Sequence, residues 1–191
     1  MQDMRKIKRC KWPSDDDLMI KYHDEEWGVP VHDDKKLFEF IVLESAQAGL
    51  SWKTVLHKRE NYRKAFDNFD FKKISGYDEK KILELMNNAG IIRNRLKILA
   101  TINNAQRFLD IQKEFKSFDR YIWSFVKKPI VNNIKSLKNI PAKTALSDKI
   151  SADMKKRGFK FMGSTIIYAH IQATGMVDDH VNDCFRKGKK R

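Results

Sequence analysis

Cysteine, proline and glycine are scarce in this chain, and acidic residues are fewer than basic ones. Two cysteines, Cys10 and Cys184, are too few for a disulfide-stabilised scaffold. The four prolines and eight glycines fall mostly between periodic segments, with neither an internal repeat nor a low-complexity block. No apolar stretch typical of a signal peptide opens the chain. The longest charge-free run, residues 161–177, is short and polar for a membrane span. We therefore expect a soluble, cytoplasmic protein with no membrane partner.

Length and charge balance narrow the class of protein further. A chain of 191 residues predicts a single domain, which we expect to span residues 1–191 as two packed helical lobes with a basic tail at 186–191. Hydrophobic residues make up 41% of the sequence and aromatic residues 11%, which excludes a disordered chain. Lys and Arg number 39 against 25 Asp and Glu, a formal net charge of +14. This excess favours nucleic acid as the partner, and an anionic membrane surface second.

Apolar residues recur mainly at helical spacing. Leu37, Ile41, Glu44 and Ala48 follow one another at intervals of four, three and four, so they share one helix face. Helices are predicted between Ser14 and Gly28, between Asp33 and Gly49, and over residues 52–66, 78–88, 92–108, 118–126, 147–157 and 164–174. Alternation typical of a strand is missing. We predict an all-α fold of many short helices, with residues 131–142 as an irregular connector.

Basic residues concentrate in the C-terminal part of the chain. Residues 127–160 hold ten Lys and Arg against two Asp. Two glycines frame a short turn at residues 158–163, and the helix that follows begins with free N–H groups that suit a phosphate. We predict a helix-hairpin-helix element that contacts DNA; solvated helix faces and a plain helix–helix turn are the alternatives. The predicted DNA contacts are Gly158, Lys160, Gly163, Ser164 and Thr165.

Cysteine and histidine occur in two pairs near opposite ends of the chain. His180 and Cys184 are four residues apart, so on a helix they would share a face. Cys10 and His23 lie near the N-terminus. Together they would form a closed, tetrahedral zinc site joining the two ends. On spacing alone, two ordinary thiols and two surface histidines are the simpler interpretation. A disulfide bond is disfavoured in a reducing cytosol.

Glu44 stands out because it is an acidic residue on an apolar helix face. Such a carboxylate is either an edge residue that reaches solvent or a functional acid with a raised pKa. Trp52 follows closely along the chain, and a carboxylate beside an indole suits a flat heterocycle. Further walls are offered by Trp12, Tyr22 and Trp27. The alternative is that these aromatic residues belong to an ordinary core.

Specific motifs occur in order from residue 9 to residue 184. They are RCKW at 9–12, YHDEEWGVP at 22–30, LE at 43–44, QAGLSW at 47–52, KRENY at 58–62, AGIIR at 89–93, WSFV at 123–126, KRGFKF at 156–161 and DH at 179–180. This set resembles the DNA-3-methyladenine glycosylase I family, bacterial base-excision enzymes of the helix-hairpin-helix glycosylase superfamily. The resemblance covers nearly the whole chain.

The resemblance implies roles for the candidate residues. Glu44 matches the acidic residue of the base pocket. The implied base-binding residues are Trp52, Tyr22 and Trp12. By the same analogy, Gly49 and Leu50 enter the base stack of double-stranded DNA and fill the gap left by a flipped nucleotide. The implied ligands of a structural zinc ion are Cys10, His23, His180 and Cys184.

Three positions depart from patterns in related enzymes. Asp178 lies near the place of a catalytic aspartate in the superfamily, although members of this family often have asparagine there. Thr165 stands where bifunctional relatives carry a nucleophilic lysine, which argues against a lyase step. Met19 replaces a pocket tyrosine of some members, which predicts a slightly different pocket.

The sequence thus predicts a monomeric, monofunctional DNA repair enzyme. It would hydrolyse the N-glycosidic bond of 3-methyladenine in alkylated DNA and release the free base. The rival hypothesis is a non-catalytic, zinc-stapled module that binds alkylated or distorted DNA. Such a module has little need of the pair formed by Glu44 and Trp52. A protein of membrane surfaces is disfavoured, because no long amphipathic helix has a lysine-rich face.

Overall fold

The structure is a computed structural model that describes residues 7–189, most of which are helical. The prediction of a mainly helical fold is therefore confirmed. In chain order, α1 to α10 span Asp17–Glu25, Asp34–Gln47, Trp52–His57, Arg59–Ala65, Phe71–Ile74, Glu79–Asn87, Arg95–Phe115, Phe118–Trp123, Ala145–Lys156 and Ser164–Ala173. Short 3-10 segments lie at Asp67–Phe69 and Leu137–Asn139. The last two residues of the predicted basic tail lie outside the described residues.

Side-chain caps determine where several helices begin. The Asp33 carboxylate accepts a hydrogen bond from the N–H of Lys36, as the predicted start of α2 requires. The prediction for α1 was wrong by two residues, since Asp16 is its cap and Ser14 lies in a turn with φ of +55°. For α9 the cap is Thr144 rather than Ser147. The Ser147 hydroxyl instead accepts a hydrogen bond from the N–H of Thr144, which completes a capping box.

Two predicted helices differ in extent from those observed. The helix expected over residues 52–66 is divided into α3 and α4, which meet at Lys58. The helix expected over residues 92–108 is α7, which begins after the Asn94 cap and continues to Phe115. Apolar periodicity continues across both boundaries, so it identifies the helices without fixing their ends.

Helix α2 lies at the centre of the molecule. Ten of its fourteen residues are buried, including Phe38, Ile41 and Leu43. A helix that is buried on nearly all sides must be surrounded, and α2 packs against α3, α7, α8 and α10. A second apolar cluster, around Tyr22 and Phe40, joins α1 to the C-terminal segment. The organisation as one domain of two lobes stays a prediction.

Two very short strands were missed by the sequence analysis. Strands β1 (Ile130–Val131) and β2 (Val177–Asp178) pair in parallel, and a further bridge joins Ile134 to Val181. Two residues are too few to show alternation, and β1 falls at the edge of the predicted irregular connector. The pairing fixes the chain after α10 beside the connector after α8. At Gly175, between α10 and β2, a Cβ would lie 2.3 Å from the backbone of Val29 and Pro30, so the close approach of these two segments requires glycine.

Among residues 7–189, no helix is both long enough and apolar enough to cross a membrane.

Candidate functional site

A cavity of about 420 Å³ lies between α1, the C-terminal half of α2, α3 and α10. It is lined by Trp12, Tyr22, Trp27, Glu44, Gln47, Trp52, Leu137, Ile140, Ala169 and Gln172. The structure therefore brings together Glu44 and the three aromatic residues that the sequence assigned to a base pocket. A cavity of this size, apolar on most sides and with few polar groups, is typical of a small-molecule site.

The Glu44 side chain is buried without a partner. Only 3% of the residue is exposed, and within residues 7–189 no group donates a hydrogen bond to its carboxyl. Burial disfavours the charged form and raises the pKa of Glu44 to about 8. The alternative of an edge residue reaching solvent was wrong. A carboxyl held in this way is neutral at neutral pH until a cation or a strong donor enters the cavity.

The aromatic side chains form adjoining walls. The ring centroids of Tyr22 and Trp52 are 5.1 Å apart, and those of Trp12 and Trp27 are 5.2 Å apart. The indole N–H groups of Trp12 and Trp52 are buried and have no hydrogen-bond partner in the described part of the chain. Burial raises the pKa of Tyr22, so its hydroxyl stays protonated and can donate. These surfaces suit a flat ring with polar edges.

A second cavity, of about 400 Å³, opens beside the first and shares Glu44 with it. Its walls include the turn after α2, with Gly49 and Leu50, and the first turn of α10, with Thr165. Gly49 follows α2 with φ of +78°, and Leu50 is 42% exposed. Gly49 and Leu50, the residues expected to enter the base stack as a wedge, thus line a cavity that shares Glu44 with the first.

The turn at residues 158–163 joins α9 to α10, and these helices pack against each other. Gly158 has φ of +88°, which requires glycine, whereas Gly163 has φ of −67°. Nothing lies within 4 Å of a Cβ built at Gly163, so its surface is open to a ligand. Lys160 and Thr165 are exposed, and the Ser164 hydroxyl is hydrogen-bonded to that of Ser147 at 2.8 Å.

The two cysteines and one of the two histidines lie close together. Ligand atoms of Cys10, His23 and Cys184 all lie within 4.8 Å of one another. His180 is outside that group, but its ring centroid is 5.0 Å from that of His23. Residues 180–184 do not form a helix, which is the case in which a four-residue spacing would place His180 and Cys184 on one face. The segment is a turn after β2, in which the N–H of Cys184 donates to the carbonyl of Val181.

Both histidines are oriented by carboxylates. His23 Nδ1 lies 2.7 Å from an oxygen of Asp24, and His180 Nδ1 lies 2.8 Å from an oxygen of Asp178. Each Nε2 is thereby left for another partner. His23 Nε2 is 3.5 Å from the Cys184 sulfur, and His180 Nε2 is buried with no partner among residues 7–189.

Asp178 and Met19 do not line the base cavity. Asp178 also accepts a hydrogen bond from the N–H of Gly188, so both its oxygens are engaged beside His180. Met19 is buried in the second apolar cluster, against Tyr22. Neither residue can therefore contact a base in the cavity directly.

The family model for methyladenine glycosylases matches residues 12–187. The chain belongs to the methyladenine glycosylase family. The DNA-3-methyladenine glycosylase of Haemophilus influenzae is 50% identical over 177 residues, covering 92% of this chain and 96% of that protein. DNA-3-methyladenine glycosylase 1 of Escherichia coli is 51% identical over 179 residues, covering 93% and 96%.

A solved structure has the same fold. It concerns the recognition of 3-methyladenine by 3-methyladenine DNA glycosylase I of Staphylococcus aureus. That protein is 35% identical, with a TM-score of 0.92 over 96% of this chain and 98% of its own. The expected membership of the glycosylase family is thus confirmed.

Sequence reasoning missed the residues that hold the two exposed turns in place. Asn103 and Asn104 on α7 bind the backbone of the turn at residues 158–163, at the carbonyl of Gly158 and at both backbone groups of Lys160. The ammonium of Lys97, also on α7, lies 2.8 Å from the carbonyl oxygen of Ala46 and 2.6 Å from that of Ala48.

A sequence signal existed for all three of these residues. An Asn pair in the middle of an apolar helix is unfavourable unless the side chains are bound, and Asn104 is fully buried. Lys97 stands in the first turn of α7, where a cation opposes the helix dipole. Both features mark side chains with partners outside their own helix.

Proposed function

We propose that this chain is a DNA repair hydrolase that cleaves the N-glycosidic bond of 3-methyladenine in alkylated DNA. The single observation that carries the proposal is the unpartnered carboxyl of Glu44 in an aromatic cavity. Family membership supports the substrate, since the relatives at about half identity are named for 3-methyladenine. The enzyme acts as a monofunctional glycosylase, because Thr165 offers no amine for a lyase step.

The chemistry follows from the charge of the damaged base. A purine methylated at a ring nitrogen while still bonded to the sugar is cationic, so its glycosidic bond is weak. Glu44 is the only carboxyl among the described residues that line the cavity. A cation entering beside it lowers its pKa and favours the carboxylate. The carboxylate stabilises the cationic base and the oxocarbenium-like sugar while water attacks.

Selection against undamaged DNA follows from the same interaction. A neutral adenine leaves the buried Glu44 carboxyl without a charged partner. A cationic base compensates the negative charge of the Glu44 carboxylate. Stacking on Trp52 is available to either base. The lesion is flipped out of the duplex at lower cost, because it pairs weakly.

The basic surface and the turn at residues 158–163 support binding to double-stranded DNA. The hairpin would bind a phosphate through its backbone and the first turn of α10, with Lys160 beside it. Gly49 and Leu50 would enter the gap in the base stack. The protein is proposed to act as a cytoplasmic monomer.

The histidine and cysteine cluster fits a structural zinc ion. Cys10, His23, His180 and Cys184 would hold it, and the buried, unpartnered Nε2 of His180 supports the fourth position. In zinc sites, the imidazole nitrogen that does not bind the metal is usually hydrogen-bonded to a carboxylate or a carbonyl. Nδ1 of both histidines has a carboxylate partner of this kind. Four protein ligands leave no open position, so the ion would stabilise the fold and supply no catalysis.

Release of bases tests the proposed function directly. The purified protein is incubated with methylated duplex DNA, and freed bases are identified by chromatography and mass spectrometry. Release of 3-methyladenine with 7-methylguanine left in place is the expected result. Binding of DNA without any freed base would instead favour the non-catalytic module.

A substitution of Lys97 tests whether the turn that carries Gly49 and Leu50 acts as a wedge in the base stack. Lys97→Met removes the ammonium that binds two carbonyls at the end of α2, so Leu50 should be held less firmly. We expect release of 3-methyladenine from duplex DNA to slow by about tenfold, and release from single-stranded DNA to change little. Both rates are measured on the same methylated oligonucleotide.

The matched control for Lys97 is Lys113→Met. Lys113 lies on the same helix but is exposed and pairs with Asp110. This control should leave both rates unchanged, and Lys97→Arg should restore part of the duplex activity. Equal loss on both substrates would mean that Lys97 has a general structural role and does not act through the wedge.

A further inference from the structure

Exposed apolar side chains concentrate beside the two turns proposed to contact DNA. Among residues 7–189, nine large apolar side chains are exposed. Four of the nine belong to those turns or to α7, the helix that binds both: Leu50, Leu96, Leu99 and Phe161. Leu96 is 68% exposed, the highest value of the nine. Exposed apolar residues that gather in one part of a surface mark an interaction site, whereas scattered ones need no explanation.

Helix geometry relates Leu96 and Leu99 to both turns. Leu96 is seven residues before Asn103, and Leu99 is four residues before it, so the three side chains leave α7 on the same side. Asn103 donates a hydrogen bond to a carbonyl of the turn at residues 158–163. Lys97, which follows Leu96, binds the carbonyls at the end of α2. The two leucines thus form an apolar stripe that begins beside Lys97 and runs towards the turn at residues 158–163.

The part of α7 that carries the stripe is basic. Residues 93–107 include four basic side chains and no Asp or Glu. Arg95 and Arg107 form exposed salt bridges with acidic residues outside this stretch, and pairs of this kind are weak enough to exchange for phosphate. Duplex DNA offers both chemistries at once, since its phosphates attract the cations and its sugars present apolar faces. Charge and continuity with the two turns therefore favour DNA as the molecule that covers the stripe.

We infer that Leu96 and Leu99 pack against deoxyribose groups of duplex DNA, between the base gap that Leu50 enters and the phosphate bound at residues 158–163. The inference rests on the proposed function. Every nucleotide presents the same sugar, so this contact adds affinity without reading sequence. Burial of a leucine neutralises no phosphate and releases no counterion, which separates its effect on affinity from that of a lysine.

Binding of duplex DNA at several salt concentrations tests the inference. The probe is a duplex oligonucleotide with one abasic site, and the variants are Leu96→Gln, Leu99→Gln and the double substitution. We expect the double variant to bind about tenfold more weakly at each salt concentration, an effect within reach of the partial burial of two leucine side chains. The slope of log affinity against log salt should not change. Lys160→Gln should instead reduce that slope by about one.

Two control variants separate a DNA contact from a change in folding. Leu83→Gln alters a leucine of α6 that is 52% exposed, and it should leave the affinity for DNA unchanged. Leu96→Met keeps an apolar side chain at the same place and should retain the natural affinity. Melting temperatures of all these variants should stay within about 2 °C of that of the natural protein, as is usual for exposed positions.

Several results would overturn the inference. Unchanged affinity for duplex DNA in the folded double variant is the first, and a weaker affinity with a smaller salt slope is the second, because the contact would then be ionic. Sedimentation might instead reveal self-association that the double variant abolishes with DNA affinity intact, which would assign the stripe to a second copy of the chain. Binding that depends on Leu96 and Leu99 without any base release would support this inference and overturn the proposed function.

Discussion

Glu44→Gln should release 3-methyladenine from DNA about 10²–10³-fold more slowly than the natural protein, the usual loss when one preorganised electrostatic group is removed. The amide keeps the size of the side chain and cannot become the carboxylate that stabilises a cationic base. Affinity for DNA should stay within about threefold, because the proposed phosphate contacts lie on α10 and the preceding turn. Single-turnover base release and DNA binding, measured separately, test the two expectations.

The same substitution should stabilise the folded protein at neutral and alkaline pH. The pKa of Glu44 is raised from 4.5 to about 8 by burial, so the folded state holds this proton more tightly than the unfolded state. Below pH 4.5 both states are protonated, and the variant should gain nothing. As the pH rises towards 8, ionisation favours the unfolded natural protein, and Glu44→Gln should be more stable by on the order of 3 kcal/mol. Urea unfolding at pH 4 and pH 8 measures this difference.

Glu84→Gln is the matched control for Glu44. Glu84 is exposed on α6, away from the cavity, and pairs with Lys81. Its substitution should change neither base release nor the pH dependence of unfolding. Equal loss of base release and DNA binding in Glu44→Gln would contradict the proposed role of Glu44 and point to a structural one.

Loss of the proposed zinc ion should have the largest effect on stability. The four candidate ligands come from residues 10–23 and 180–184, so one ion would join the two ends of the chain. Cys184→Ala should abolish zinc binding, from one ion per chain to none. We expect the melting temperature to fall by about 10 °C, on the basis of several kcal/mol of lost stability. Elemental analysis and calorimetry measure both quantities.

Activity should fall when the zinc ion is lost, although the ion takes no part in the chemistry. The Trp12 ring, a wall of the base cavity, packs against His23 with centroids 5.3 Å apart. When His23 loses its ligand role, Trp12 loses a fixed neighbour, and the Michaelis constant for DNA carrying the lesion should rise. His32→Gln removes an exposed histidine that pairs with Asp119 and serves as the control. A metal-free protein with full stability and activity would refute the zinc proposal.

The sequence predicts the helices well because helix signals are local. Caps such as Asp33 and glycines with positive φ, such as Gly49, act within a single turn of chain. The strands β1 and β2 could not be predicted, since their pairing joins residues far apart in sequence and extends over two residues each. The conformation of residues 180–184 could not be predicted, because a four-residue interval between ligands suits a helix and also a turn around a shared site.

Some residues of the site can be predicted from the sequence and others cannot, for a physical reason. Glu44 breaks an apolar pattern and is therefore visible in the sequence, but its lack of a partner depends on neighbours from other helices. Gln172 lies on a helix that also carries exposed polar residues, so its type does not distinguish it from a solvated position. Lys97 is unusual in the first turn of α7, but the sequence does not show which groups it binds. Only the structure shows that the ammonium of Lys97 binds the carbonyls at the end of α2, or that Asp179 fixes the amide of Gln172.

One helix, α7, carries the side chains that hold both exposed turns, so its rise bears on the spacing of the proposed DNA contacts. Lys97 binds the end of α2 before the wedge, and Asn104 binds the turn at residues 158–163. Seven residues of α-helix separate them, an axial rise of about 10 Å. One strand of B-DNA advances about 3.4 Å per nucleotide. In the proposed complex with DNA, α7 would therefore hold the turn that carries Leu50 and the turn at residues 158–163 about three nucleotides apart.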